Sequence, residues 1–184
     1  PGETVRPIDG ALIEGDTVIW ILSTTNLIRH SWLTGVEKMI TVNAGHDVIR
    51  LNETTLLIGT TNDGLLQFNT MEWQFTSKQI KEADQPESLL SNNIRFITKD
   101  RDDNLWVSTD GIGVSYSNLH KKKFESAAIE DRNEKEAQIT PEHIYEDAPG
   151  SLLCFTKANG ALRIDYTKND FRVVPDEGIT AKTL

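Results

Sequence analysis

The chain has 184 residues with Asp+Glu 28 against Lys+Arg 19, a formal charge of −9. That balance excludes a nucleic-acid surface, which needs clustered Lys/Arg, because the only dense basic run, Lys121-Lys122-Lys123, sits beside the acidic stretch Glu125 to Glu136. At this length one domain with a sizeable core is the default, no apolar run approaches the ~20 residues that cross a bilayer, and no signal-peptide pattern opens the chain.

Four copies of one unit follow in chain order, each centred on a short apolar strand that ends in a hydroxyl residue. The first unit offers strands at Ala11 to Glu14, Thr17 to Ser23, Leu27 to Ser31 and Glu37 to Val42, with Thr25-Asn26 where the later units carry glycine. The second has Asp47 to Leu51, Thr55 to Thr60, the turn Asn62-Asp63-Gly64, Leu65 to Phe68 and Trp73 to Thr76. The third is the clearest. Ile94, Phe96 and Thr98 alternate with Arg95, Ile97 and Lys99 at the period of a pleated strand. Asp100 to Asn104 makes a turn, and strands follow at Leu105 to Thr109, Val114 to Ser117 and Lys123 to Ala127, with Asp110-Gly111-Ile112-Gly113 between the first two of these. The fourth gives His143 to Glu146, Leu152 to Thr156, Ala161 to Asp165 and Phe171 to Val174. Helix is nearly absent; the best stretch, Ser77 to Asp84, carries one turn at most.

The anchors Trp20, Leu57, Trp106 and Leu153 lie 37, 49 and 47 positions apart. Four-stranded antiparallel units at such a period are the signature of β-propeller blades, since one twisted meander cannot bury both faces until neighbours stack on it. The expected fold is therefore an all-β propeller segment over residues 1–184, with blades at about 8–43, 46–77, 91–129 and 140–176. A β-sandwich is the competing arrangement, but its strands need not recur at a fixed period.

The stretch Leu90 to Asp100, followed by Asp103-Asn104-Leu105-Trp106-Val107-Ser108-Thr109-Asp110-Gly111, resembles the two-component regulator propeller repeat. That resemblance implies a propeller, usually of seven blades, in the periplasmic, extracytoplasmic part of hybrid histidine kinases of Bacteroidetes-type bacteria. It implies a receptor for glycan fragments that passes a rearrangement through a further β-domain and a membrane helix to a kinase. Four blades are about half of such a ring, and no kinase motif or phospho-acceptor domain is present. The start Pro1-Gly2, without methionine, fits a processed chain or a piece of a longer one. The partners implied are an oligosaccharide, the remaining blades or a downstream β-domain, and a second copy in a homodimer.

Candidate chemistry is sparse. Asp100, Asp102 and Asn104 place oxygens at alternate positions like the start of a calcium loop. However, Leu105 stands where the turn glycine belongs and Gly111 where the bidentate Glu would close the site. No metal and no cofactor are expected, and the turn reads as a solvated hairpin whose side chains cap their own backbone. The lone Cys154 excludes an internal disulfide and reads as an inert buried thiol. His30, His46, His120 and His143 are dispersed, and no serine has nucleophile-elbow context, so no catalytic residue is assigned. Trp20 and Trp106 are expected between blades.

Blade geometry narrows the functional surface. Turns between second and third strands emerge on the same face as connectors between blades, which collects Asn62-Asp63-Gly64, Asp110 to Gly113, Ala158-Asn159-Gly160 and the connectors Ser77 to Asn92 and Glu130 to Glu142. Loops on a rigid scaffold carry binding, and the ligand-binding candidates are Asn62, Asp63, Asn92, Asn93, Asp110 and His143. The leading reading is a non-catalytic, carbohydrate-sensing propeller of a two-component receptor. A protein-interaction scaffold without a small ligand is the alternative, and a propeller glycan lyase or hydrolase is the third.

Overall fold

The computed structural model describes residues 8–118, 123–128, 141–156, 160–167 and 170–175. Every regular element among them is a strand. Blade 1 comprises β1 (Gly10–Glu14), β2 (Val18–Leu22), β3 (Asn26–Ser31) and β4 (Glu37–Thr41). Blade 2 comprises β5 (Gly45–Asn52), β6 (Thr55–Thr60), β7 (Leu65–Asn69) and β8 (Gln74–Gln79). Blade 3 comprises β9 (Ile94–Lys99), β10 (Asn104–Thr109), β11 (Gly113–Asn118) and β12 (Lys123–Ala128). Blade 4 comprises β13 (Pro141–Ala148), β14 (Ser151–Thr156), β15 (Gly160–Thr167) and β16 (Asp170–Pro175).

Each blade is a separate four-stranded sheet in simple chain order, antiparallel throughout. The first strands pack side by side, β1 on β5, β5 on β9 and β9 on β13. They therefore form the inner wall of a β-propeller arc, and a sandwich is ruled out.

Hydrophobic cores lie in the seams between blades, one per seam. Trp20 from blade 1 packs with Leu56, Ile58 and Phe68 of blade 2. Leu57 of blade 2 packs with Ile94, Ile97, Leu105 and Val107 of blade 3. Trp106 of blade 3 packs with Ile144, Leu152, Cys154 and Ile164 of blade 4. The burial pattern follows from this stacking. The second strands of the interior blades, β6 and β10, bury nearly every side chain because both faces are covered, whereas β2 alternates Val18, Trp20 and Leu22 inward with Ile19 and Ile21 half-buried.

Threonines ending the second strands fasten the turns that follow. Thr60, Thr109 and Thr156 donate Oγ1–H to the carbonyls of Gly64, Gly113 and Gly160 at 2.9, 3.0 and 2.9 Å. In blade 1 Ser23 does the same to Asn26 at 3.2 Å, across a shorter turn. Gly64 is required at its position. Its φ is 71°, and a Cβ there would stand 2.2 Å from the carbonyl oxygen of Gln79.

Two local expectations change. Ser77 to Gln79 completes β8 instead of starting a helical turn, because these residues pair with Gln67 to Leu65 of β7. Trp73 precedes that strand in a turn at φ 57°, which lets its ring stack on Trp20 at 5.6 Å. Ala158-Asn159, His120 and most of the connector 130–142 lie outside the described residues.

Candidate functional site

The face that carries the β6–β7 and β10–β11 turns also carries the connectors into blades 2 and 3. Backbone bonds stitch these together. Gly64 donates to the Asn92 carbonyl at 3.1 Å, Asp110 to that of Asn93 at 3.1 Å, and Thr61 to that of Ala44 at 2.9 Å. The chain therefore delivers Asn92 and Asn93 to the rim of the arc with their backbone fixed.

Asn93 and Asp110 come together. The Asn93 amide donates to an Asp110 carboxylate oxygen at 3.1 Å, and the Arg95 guanidinium, on β9, lies 3.6 Å from the other oxygen. Asn93 Oδ1 and Arg95 Nε are both buried without a hydrogen-bond partner. Both atoms are shielded from solvent and Nε faces the Asp110 carboxylate, so the group ties the connector into blade 3 to the β10–β11 turn. Asp63 is engaged elsewhere: Lys78 and Asn43 donate to it at 2.6 and 3.2 Å, and these bonds, Lys78 foremost, hold its carboxyl below the ordinary range. Asn92 Oδ1 accepts the Lys81 backbone N–H at 2.6 Å, a turn-forming role. Asn62 is exposed at the tip of its turn. His143 sits apart on β13, at the inner wall, edge-on to Phe96 with ring centres 5.2 Å apart.

Asp47, the third residue of β5, is a further member of the inner wall that the sequence pattern conceals. A register shift between Gly45 and Asp47 turns its side chain across to the next blade, where it accepts N–H groups from Val48 at 2.8 Å and Ile97 at 2.7 Å. Burial pushes its carboxyl up to about 6, against the lowering effect of those two bonds and of His143. The Gly10 to Leu22, Asp47 to Gly59, Phe96 to Ser108 and His143 to Phe155 pairings put Gly10, Asp47, Phe96 and His143 at corresponding places on the four first strands. Together they give the inner wall one carboxylate, one aromatic ring and one imidazole at a single level. Such a set can bond hydroxyl groups and stack on an apolar ring face.

On the opposite end of the strands, Asp100 is a buried acceptor and not a solvated turn residue. One oxygen accepts N–H from Asp102 and Asn104 at 3.0 and 2.8 Å; the other accepts from the Asn104 amide, the Trp106 indole and the Tyr166 hydroxyl at 3.0, 2.9 and 3.0 Å. With its lone pairs committed to this bonding, it is a structural tie between blades 3 and 4. Among the described residues no group of three or more His, Cys, Asp or Glu side chains is placed to hold a metal. No helix among them is long and apolar enough to cross a membrane.

Residues 88–111 match the family model of the two component regulator propeller. No curated protein matches the sequence. Among solved structures, the chain is similar to the extracellular domain of a protein described as the hybrid two component system BT3049 of B. thetaiotaomicron, with TM-score 0.74 and 16% identity over 93% of this chain and 25% of that one. It is also similar to the extracellular domain of BT4673 from B. thetaiotaomicron, with TM-score 0.72 and 15% identity over 91% of this chain and 22% of that one. The β-propeller domain of Cps50 (Swd1) from Myceliophteria thermophila aligns with TM-score 0.68 and 11% identity over 96% of this chain and 62% of that one. The chain thus spans about a quarter of the length of the extracellular domains it matches. The chain is a β-propeller arc whose third blade carries a two component regulator propeller repeat.

Proposed function

We propose that the chain is part of a ligand-sensing propeller in the periplasmic, extracytoplasmic region of a two-component receptor, non-catalytic in this segment, and that its ligand is a carbohydrate. The observation that carries the reading is the repeat at residues 88–111, set in a fold similar to extracellular domains described as belonging to such systems. The inner wall supports the ligand class. Asp47, His143 and Asp110, which Asn93 holds, offer hydroxyl-bonding atoms, and Phe96 offers a ring. Asn62, Asp63 and Asn92 form the rim around them.

The ring is completed by further blades. Ile13 and Met39 of blade 1 are 72% and 53% exposed, on the sheet face whose counterpart in each of the other blades is covered by its predecessor. The signal then passes to the kinase through a dimer of the receptor.

Thermal unfolding of the chain with a panel of oligosaccharides tests the reading. One glycan is expected to raise the midpoint, because a ligand that binds only the folded state stabilises it, and Asn93→Ala is expected to remove that rise. A cooperative transition that no glycan moves would refute it and favour a protein-interaction scaffold.

A further inference from the structure

The three seams are built to one plan, and the middle one departs from it. In the first seam the indole of Trp20 donates to Glu14 at 2.5 Å, six residues earlier in sequence. In the third, Trp106 donates to Asp100 across the same offset. In the second seam the anchor is Leu57, the six-residue offset falls on Leu51, and the last residue of β5 is Asn52, a neutral amide.

The partner wall is reduced as well. The residue paired across from Leu56, Leu105 or Leu152 enters the seam from the following blade, and it is Phe68 in the first seam, Ile164 in the third but Ser117 in the second. Around Trp20 the slot is closed by Phe68 and Trp73 at ring distances of 6.1 and 5.6 Å, and around Trp106 by Tyr116 and Tyr166, both at 4.6 Å. Gln67 stands across from Leu57 where Tyr116 stands across from Trp106.

The consequence is a cleft of about 750 Å³ between blades 2 and 3, within the range of small-molecule sites, ~300–1,000 Å³. Its floor is Leu51, Leu57, Leu105 and Phe124, and its walls carry Asn52, Gln67, Thr76 and Ser117. Lys99, at its edge, is paired with Asp103 at 2.7 Å, so the charges at this edge are matched. The cleft opens toward the β5–β6 and β9–β10 turns and extends along β8 to Gln79.

We propose that this cleft is a second binding site, and that it takes a neutral planar aromatic molecule of indole size bearing an N–H donor. The two neighbouring seams hold that group in the corresponding slot as part of the chain. Here the slot opens to the surface beside Leu51, above the nearly buried Leu57, Leu105 and Phe124, and the side-chain carbonyl of Gln67 stands in place of the carboxylate that receives the N–H, while that of Asn52 is taken by Thr54 at 3.0 Å. A bound ring would touch both blades and hold them together. The site is independent of the sugar reading above.

The test uses indole itself on the full chain with methyl-labelled leucines. Saturable binding is expected, with intermolecular NOEs from indole protons to Leu51, Leu57 and Leu105. Leu57→Trp, which supplies the ring internally, is expected to lose binding, and Ser117→Phe, which restores the bulk of the first seam, is a second filling variant should the first not fold. Unchanged binding in a folded filling variant, NOEs to other leucines, or no saturable binding up to the solubility of indole would overturn the proposal. Because the probe is not a sugar and the reporting methyls lie in the seam, a negative glycan panel leaves the outcome unaffected.

Discussion

A carboxylate in an inner wall behaves differently from one on the surface, and Asp47 shows how. Its oxygens accept Val48 and Ile97 N–H groups, yet burial raises its carboxyl to about 6 from an ordinary 3.8. The folded chain therefore holds this proton through a range in which the unfolded chain has released it. Stability from this group is fully present below pH ~4 and is lost as pH rises through about 6. Denaturant unfolding at several pH values is expected to show that slope, and Asp47→Asn, which keeps a carbonyl for Ile97, to flatten it between pH 4 and 6. Equal slopes for the two proteins would contradict the assignment. In the sequence Asp47 is indistinguishable from any polar residue opening a strand. The register shift beside Gly45 aims it at blade 3, and a register shift leaves no mark in residue type. Asp100 is the converse case, since its turn was legible but its burial was not. The readable trace was the acid six residues before a tryptophan, which occurs at both Glu14–Trp20 and Asp100–Trp106.

At the scale of elements, each seam is a contact between the second strand of one blade and the sheet of the next. The third seam is tied by one carboxylate serving β10 and β15 together through Trp106 and Tyr166. Removing it leaves several buried donors without an acceptor, so Asp100→Ala is expected to cost about 3 kcal/mol or more. The exposed neighbour Asp102→Ala is expected to stay within ~0.5 kcal/mol. Urea titrations of both variants check this, and similar losses would mean that the tie contributes little. Strand positions were largely legible because alternation and glycine turns act over a few residues. The hydroxyl ending each second strand was visible too, and its bond to the turn carbonyl accounts for it. The place of Trp73 was not, because a tryptophan at positive φ defies local preference and is held by stacking on a residue of another blade.

For the whole molecule, stacking repeats leave a face uncovered wherever a neighbour is missing. Blade 1 presents Ile13 and Met39 there, with Ile19, Ile21 and Ile28 half-buried beside them. A patch of this kind drives association. Sedimentation velocity is expected to show concentration-dependent association of the chain, reduced in Ile13→Lys and Met39→Lys. A wild-type chain that stays monomeric at high concentration would contradict it. The candidate binding groups were only partly legible: Asn93 and Asp110 converge, as blade geometry placed them, while Asp63 and Asn92 are occupied by Lys78 and Lys81. Arg95 and Asp47 join the wall through tertiary pairing that no local pattern encodes.

The seams also divide the arc by the kind of packing each one uses. Blades 1 and 2 are clamped by stacked rings, and blades 3 and 4 by rings bonded to a shared carboxylate, so each pair resists sliding as a close-packed solid does. Between the pairs, Leu57, Ile94, Ile97, Leu105 and Val107 are buried against one another, and near the axis the Ile97 N–H donates to Asp47. Ring contacts therefore serve the outer two seams, while largely aliphatic packing and that one backbone-to-carboxylate bond serve the middle one.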